Sequence, residues 1–283
     1  MKKLLLSLCA LLLLTGCSDA YGKLTDGDTV IFSVGETNIT KNDIYQTMKA
    51  QASGYAALSE ATRVILENEV PVTAEIEAEA QASLETYQAT LQDSFLTTIQ
   101  SYGYADEQDF YTNSLLVNAQ LTELTKKYVT DNFDTLVKTY DPKEAIVLTF
   151  ATEEDALAAK ADLESGIDGL TVGSTYNSSS AGAERIITTS TELDTSVKSF
   201  IQNATENTIS DVIIGADNET YSIVQITEVD PNNMKDAVIT VLTNLDTTGA
   251  DSDLYYFKKY GFKIHDKDLF DNVETNYPTY IFD

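Results

Sequence analysis

Apolar and polar positions alternate or recur in three successive patterns along this chain. After a short β-type run, Val30-Ile31-Phe32-Ser33-Val34, a Gly35-Glu36 turn leads into the return Thr37-Asn38-Ile39-Thr40. Thr40 and Asp43 stand at capping-box spacing, which predicts a helix from Lys41. From there to Tyr140 the pattern is helical. Ser59 is the expected cap of a helix carrying Val64, Ile65 and Leu66, Pro71 and Thr73 punctuate, and Glu75 to Leu91 is long and rich in Ala and Glu. Phe95, Leu96 and Ile99 make a short apolar face that stops at Gly103. Asp106, with Asp109 three residues on, caps a further helix in which Phe110, Leu115, Leu116, Val117, Leu121 and Leu124 recur at helical intervals. Stripes of this kind are core positions rather than a cofactor box.

At Asp141-Pro142 the pattern changes. Ala145 to Phe150 reads as a strand, Thr152 to Asp155 cap an Ala-rich helix to Leu163, and Gly166 and Gly169 are expected to end it. Ser178 to Gly182 is a loop, Arg185 to Thr189 is β-like, Leu193 to Ile201 is helical, and Val212 to Ile214 and Tyr221 to Val229 read as strands flanking Ala216-Asp217-Asn218. A second hinge, Asp230-Pro231-Asn232-Asn233, returns the chain to helix, with a break expected at Thr247-Thr248-Gly249. The close is a one-turn strand at Phe262 to Ile264, an Asp266 cap and a last helix from Lys267.

The first residues change the picture of where the chain works. Lys2 and Lys3, an apolar run from Leu4 to Leu14 and the small residues before Cys17 are the three zones of a secretory signal, and the run is too short to span a bilayer as a helix. Leu14-Thr15-Gly16-Cys17 resembles the bacterial lipobox, which places a diacylglycerol on the Cys17 thiol and makes it the first mature residue. Two acyl chains form a stable anchor where one is marginal. Residues 18–29 then read as a tether. Loss of Lys2 and Lys3 takes the formal charge of −27 to −29, a surface that repels nucleic acid and anionic headgroups. Of the two cysteines, Cys9 leaves with the signal and Cys17 is acylated, so no thiol remains for a disulfide, a metal site or a nucleophile.

With these residues in hand the chain resembles the PrsA-type foldase lipoproteins of Gram-positive bacteria. The lipobox is one shared feature. Val30 through Asp43 is similar to the family's V-x-x-V-G-x-x-x-I-T-K-x-D, Thr130-Asp131 and Tyr140-Asp141-Pro142 to its mid-chain junction, and Phe262, Ile264 and Asp266-Lys267-Asp268-Leu269 to its end, V-x-I-x-D-K-D-L. The resemblance implies an α+β fold. A mainly helical chaperone lobe is built from residues 30–140 and 231–283, and a parvulin-like domain, an antiparallel sheet with helices, is inserted at residues 141–230. It implies prolyl-isomerase ancestry, no cofactor and no metal. As partners it implies unfolded or partly folded exported proteins, the outer face of the cell membrane through Cys17, and it allows a homodimer.

The middle of the chain departs from the family. Parvulin domains open on R-H-I-L and close on G-Y-H-I-I, and the two histidines form a pair over the bound proline. Here those positions fall on Ala145 and Ser222, and the family's G-G-x-L-G segment is replaced by Ala181 to Arg185. The single histidine, His265, lies in the tail beside a helix cap and reads as a surface side chain. Rotation about an X-Pro bond has a barrier of about 20 kcal/mol and needs no nucleophile, metal or cofactor, only a pocket for the twisted amide, so loss of the pair weakens the enzymatic reading without eliminating it. Isomerase turnover near background, with client holding retained, is therefore the expectation. The competing class is the solute-binding lipoprotein of an importer, which needs two lobes of repeated β-α-β units. The EF-hand ligand spacing is missing around Asp217-Asn218-Glu219, as are phosphate-cradling glycine motifs.

Overall fold

The computed structural model describes residues 24–51 and 53–282. The signal segment, Cys17 and the first part of the tether lie outside the described residues.

In chain order the elements are β1 (Val30–Val34), β2 (Thr37–Thr40), α1 (Lys41–Gln51), α2 (Ser53–Glu69), α3 (Ala74–Leu91), α4 (Phe95–Ser101), α5 (Glu107–Phe110), a π turn (Tyr111–Leu115), α6 (Leu116–Asp131) and α7 (Phe133–Tyr140). There follow β3 (Lys143–Phe150), α8 (Glu153–Glu164), α9 (Gly169–Thr175), β4 (Arg185–Ile187), α10 (Thr195–Asn203), β5 (Thr208–Ile209), β6 (Ile213–Ile214) and β7 (Tyr221–Glu228). The chain ends with α11 (Lys235–Thr243), α12 (Asp246–Lys259) and α13 (Lys267–Asn276). The α+β, mainly helical class expected from the sequence is the class observed.

Side-chain caps explain several of the helix starts. Thr40 N–H donates to Asp43 Oδ2 (2.8 Å) and Asp43 N–H to Thr40 Oγ1 (3.2 Å), so the capping box starts α1 where its spacing placed it. Thr73 starts α3, Asp106 α5, Thr152 α8 and Asp266 α13 by the same side-chain acceptance.

Four expectations are corrected. Ser59 caps nothing, because α2 begins six residues earlier. Gly54, in its first turn, is held by α13: its N–H donates to Asn272 Oδ1 (2.6 Å), and a Cβ there would lie 2.5 Å from Val273 Cγ2. Tertiary packing carries the helix through a residue that local propensity marks as weak. Gly169 opens α9 rather than closing α8, since Asp168 accepts from Thr171 N–H (3.0 Å) and hydroxyl (2.6 Å). The break expected at Thr247 to Gly249 falls instead at Asn244 and Leu245, and Gly249 N–H donates to Leu245 C=O (3.0 Å) inside α12. Phe262 to Ile264 forms no strand. Among the described residues β1 pairs only with β2, and Phe262 packs edge-on against Phe257 with ring centroids 5.0 Å apart.

The described residues divide into two compact units, one comprising those up to Leu124 together with those from Ala250 on, the other Thr125–Gly249. In the first, α1 and α2 meet elements from the C-terminal part of the chain. Lys49 pairs with Asp266 (3.1 Å) and Asp268 (2.7 Å), and Lys259 with Glu69 (2.5 Å). Its core includes Leu66, Ile99, Leu124, Tyr256 and Phe257, all under 2% or at 2% exposed. Burial of such side chains contributes roughly 1.5–3 kcal/mol each. Gln120, also buried, donates to Val70 C=O (2.7 Å), which satisfies a polar group the core would otherwise strand.

In the second unit the strand order is β4-β3-β7-β5, with β6 also on β7 and every pairing antiparallel. One face packs Leu148, Phe150 and Ile223 against Ala156, Ala159 and Leu163 of α8, and the other packs Val147, Val224 and Ile226 against Val197 and Ile201 of α10. A third cluster joins Ile186 of β4 to Phe133, Leu136 and Tyr140 of α7 and to Val238 and Leu242 of α11.

Candidate functional site

In the second unit the structure places both sequence-derived pocket positions on one face of the central strand pair and does not bring them together. Ala145 is fully buried and faces Ile226 of β7. Ser222, 3% exposed, faces Thr149. Four residues along the ladder separate them, about 13 Å at the usual strand rise of ~3.3 Å. The residue opposite Ser222 is Thr149, and their hydroxyl oxygens lie 3.1 Å apart. Thr149 was not singled out from the sequence, because the register of two strands joined by a 70-residue connection leaves no local signature.

The loop after α9 runs along the same end of β3. Thr149 N–H donates to Ser178 Oγ (3.0 Å), Ser179 N–H to Thr149 C=O (2.8 Å) and Ser180 Oγ to Val147 C=O (2.7 Å). These hydroxyls are engaged in holding the loop. The face itself is covered by α10, and among its described residues it holds an apolar cluster and one hydroxyl pair, with no imidazole and no thiol. At the other end of β3, burial pushes the Glu144 carboxyl up, helped by the charges of Glu184 and Glu228. His265 is exposed and belongs to the first unit.

The first unit holds a larger feature, an open cavity of about 590 Å³. Leu58 of α2, Val117 and Leu121 of α6 and Phe257 of α12 supply its apolar wall, and Tyr55 and Tyr104 stand at its sides. Asn113 and Ser114 of the π turn also face it. Such turns insert one residue into a helix and re-aim the side chains around them. Asp253 of α12 and Tyr280 meet in the cavity: the Tyr280 hydroxyl donates to Asp253 Oδ2 (2.8 Å), and its ring lies 4.8 Å from that of Phe257. Burial raises the Asp253 carboxyl, with the Tyr280 hydrogen bond working against that rise. Burial, and then the neighbouring carboxylate, raise the Tyr280 phenol. Arg63 at the rim is held by two carboxylates, Glu60 (2.8 Å) and Glu67 (2.5 Å).

A second cleft of about 200 Å³ shares Tyr104 and Ser114 with this cavity. Phe110 is its centre, with Tyr87, Phe95 and Tyr104 packed edge-on at centroid distances of 5.3, 6.1 and 5.1 Å. Tyr102 beside it is 72% exposed. The sequence signal for this aromatic concentration was its 16 tyrosines, but composition does not say where they converge. Among the described residues no group of three or more His, Cys, Asp or Glu side chains is placed to hold a metal ion, and no helix is long and apolar enough to cross a membrane.

Neither a protein-family model nor a curated protein matches the sequence. Among solved structures the chain is similar to the peptidylprolyl isomerase PrsA of Bacillus cereus, with 17% identity, a TM-score of 0.48, and 88% of this chain and 98% of that one covered. It is similar to the foldase protein PrsA of Streptococcus pneumoniae at 17% identity and a TM-score of 0.48, covering 89% and 99%. PrsA of Bacillus subtilis matches at 18% identity and a TM-score of 0.38, covering 88% and 100%.

Proposed function

We propose that this protein is a lipid-anchored folding factor on the outer face of the cell membrane that holds partly unfolded exported chains, with isomerase turnover near background. The observation that carries the reading is the aromatic-walled, open cavity of about 590 Å³ in the helical unit, with exposed apolar side chains such as Leu96, Tyr55 and Tyr102 on that unit's surface. Exposed apolar clefts are what a chain segment with unburied side chains can use. The leader and Cys17 support the location, and the sequence motifs at both ends support the family reading. In this reading residues 141–230 form the parvulin-like domain between the two parts of the helical lobe. Its central strand pair carries Ala145, Thr149 and Ser222 where an imidazole pair would be needed to order a twisted amide.

Two assays on a soluble form starting at Ser18 test the reading. Light scattering of a heat-aggregating client should fall in the presence of the protein and stay low at raised salt, because apolar contact is not screened. The proline-limited phase of a refolding test protein should keep its uncatalysed rate. Failure to suppress aggregation, combined with saturable uptake of a small solute in equilibrium dialysis, would transfer the protein to the solute-binding class. Acceleration of refolding that Ser222→Ala abolishes would refute the low-turnover part.

A further inference from the structure

The cavity of the helical unit has one feature that general apolar holding does not use. Beside its apolar side chains the open cavity holds a partly buried carboxylate, Asp253, and among the described residues that carboxylate has no cationic partner. Asp253 accepts one hydrogen bond, from Tyr280, which leaves Oδ1 and the remaining lone pairs of Oδ2 unused by the chain. The cation among the lining residues, Arg63, is already held by Glu60 and Glu67. A carboxylate drawn out of water gains when a positive group is brought beside it, and the gain is larger than at an open surface. Tyrosine faces add to the attraction for a cation within about 6 Å of a ring centre. Leu58, Val117 and Leu121 suit the methylene stem that lysine and arginine carry.

We infer that the cavity takes a cationic side chain, a lysine or arginine of the bound polypeptide flanked by apolar residues, with Asp253 as its counter-ion. This rests on the reading of the protein as a holder of polypeptides and names the class of segment it prefers. The occupant follows from charge complementarity. The lining charges are Glu60, Arg63 and Asp253, so the cavity is net negative, and the whole chain at −27 draws basic segments toward it. The volume, about 590 Å³, is of the size that holds a drug-sized ligand and so exceeds what one side chain fills. Room is left for a neighbouring apolar side chain against Tyr55 or Tyr104. Salt should weaken the approach of such a segment more than the enclosed contact itself.

The chain contains no tryptophan, so a tryptophan-bearing peptide reports its own binding by fluorescence anisotropy without background from the protein. The probe is a capped hexapeptide with lysine between leucine and tryptophan, and its twin with norleucine at the lysine position. The unaltered protein should bind the lysine peptide at least tenfold more tightly than its twin, and Asp253→Asn should bring the two together. A melt followed by circular dichroism checks that the variant is folded. As a test independent of any variant, n-butylammonium should displace the lysine peptide from the unaltered protein at concentrations where n-butanol does not. Equal binding of the two peptides, a lysine preference that survives Asp253→Asn, or equal displacement by the two alkyl probes overturns the inference. The client-aggregation assay on the same preparation separates the two failures: holding without a lysine preference leaves the folding-factor reading standing, and absence of holding removes that reading itself.

Discussion

Leu242→Ala tests whether the helix after the second hinge belongs to the same cooperative structure as the sheet. Leu242 on α11 is fully buried and packs in one cluster with Phe133, Leu136 and Tyr140 of α7 and Ile186 of β4. Removing its branched end leaves a cavity that neighbours on three elements border, and buried Leu→Ala changes cost about 2–5 kcal/mol. A mid-range loss of about 3 kcal/mol is a large part of the roughly 5–15 kcal/mol that holds a unit of this size together. Hydrogen exchange read by mass spectrometry on the full chain is the assay, because it reports each segment separately. If the cluster and the sheet open together, amides of β3 and β7 should exchange on the order of a hundredfold faster in the variant, since about 1.4 kcal/mol is a factor of ten. The reciprocal change, Ile223→Ala in the fully buried centre of β7, should deprotect α11. Unchanged protection of β3 and β7 in Leu242→Ala, with loss confined to α11, would refute the reasoning and make α11 a separately opening appendage.

Three further outcomes are expected. Gly182→Ala should cost on the order of 2–3 kcal/mol, seen as a shift of the urea midpoint, because residue 182 sits at φ +73° and a Cβ would meet the Gly169 carbonyl oxygen at 2.2 Å; Gly35→Ala, at φ +61° with nothing within 4 Å, should cost about 1–2 kcal/mol, so equal effects would contradict the steric account. Asp253→Asn should melt higher than the unaltered protein at neutral pH, because burial raises the folded carboxyl above its unfolded value of 3.8; the contribution of a raised group is complete below that value and lost as pH rises through the folded one. The two melting temperatures should converge as pH falls below the ordinary aspartate range, and a variant that melts lower at pH 7 would mean that the Tyr280 hydrogen bond outweighs the cost of burial. Cys17→Ser should release or misprocess the protein, and quantitative retention of the processed variant in the membrane fraction would rule out the thiol as anchor.

What the chain determined locally is most of its element list. Capping pairs such as Thr40 with Asp43, Thr152 with Asp155 and Asp266 three residues before Leu269 act within one turn, so their spacing is legible without any fold. The mainly helical α+β class, with a β-rich block between helical stretches, follows from the switch of hydrophobic period near residues 141 and 230. The expectation of a leader ending at Cys17 is also read from linear sequence, and it lies outside the described residues.

Tertiary structure decided what depends on partners far away in sequence. α2 starts at Ser53 because Asn272 and Val273 support Gly54 across more than two hundred residues. Phe262 to Ile264 found an aromatic partner in place of a strand. Ser222 faces Thr149, and Ala145 faces Ile226, because β3 and β7 pair in one unbroken register from Ala145 to Phe150, and a shift in that register would move every one of these cross-strand pairs at once. The cavity around Asp253 could not be read at all from the chain: α2, the π turn, α6, α12 and the last residues all contribute side chains, no one segment carries a motif, and the carboxylate acquires its character only when those segments take it partly out of water.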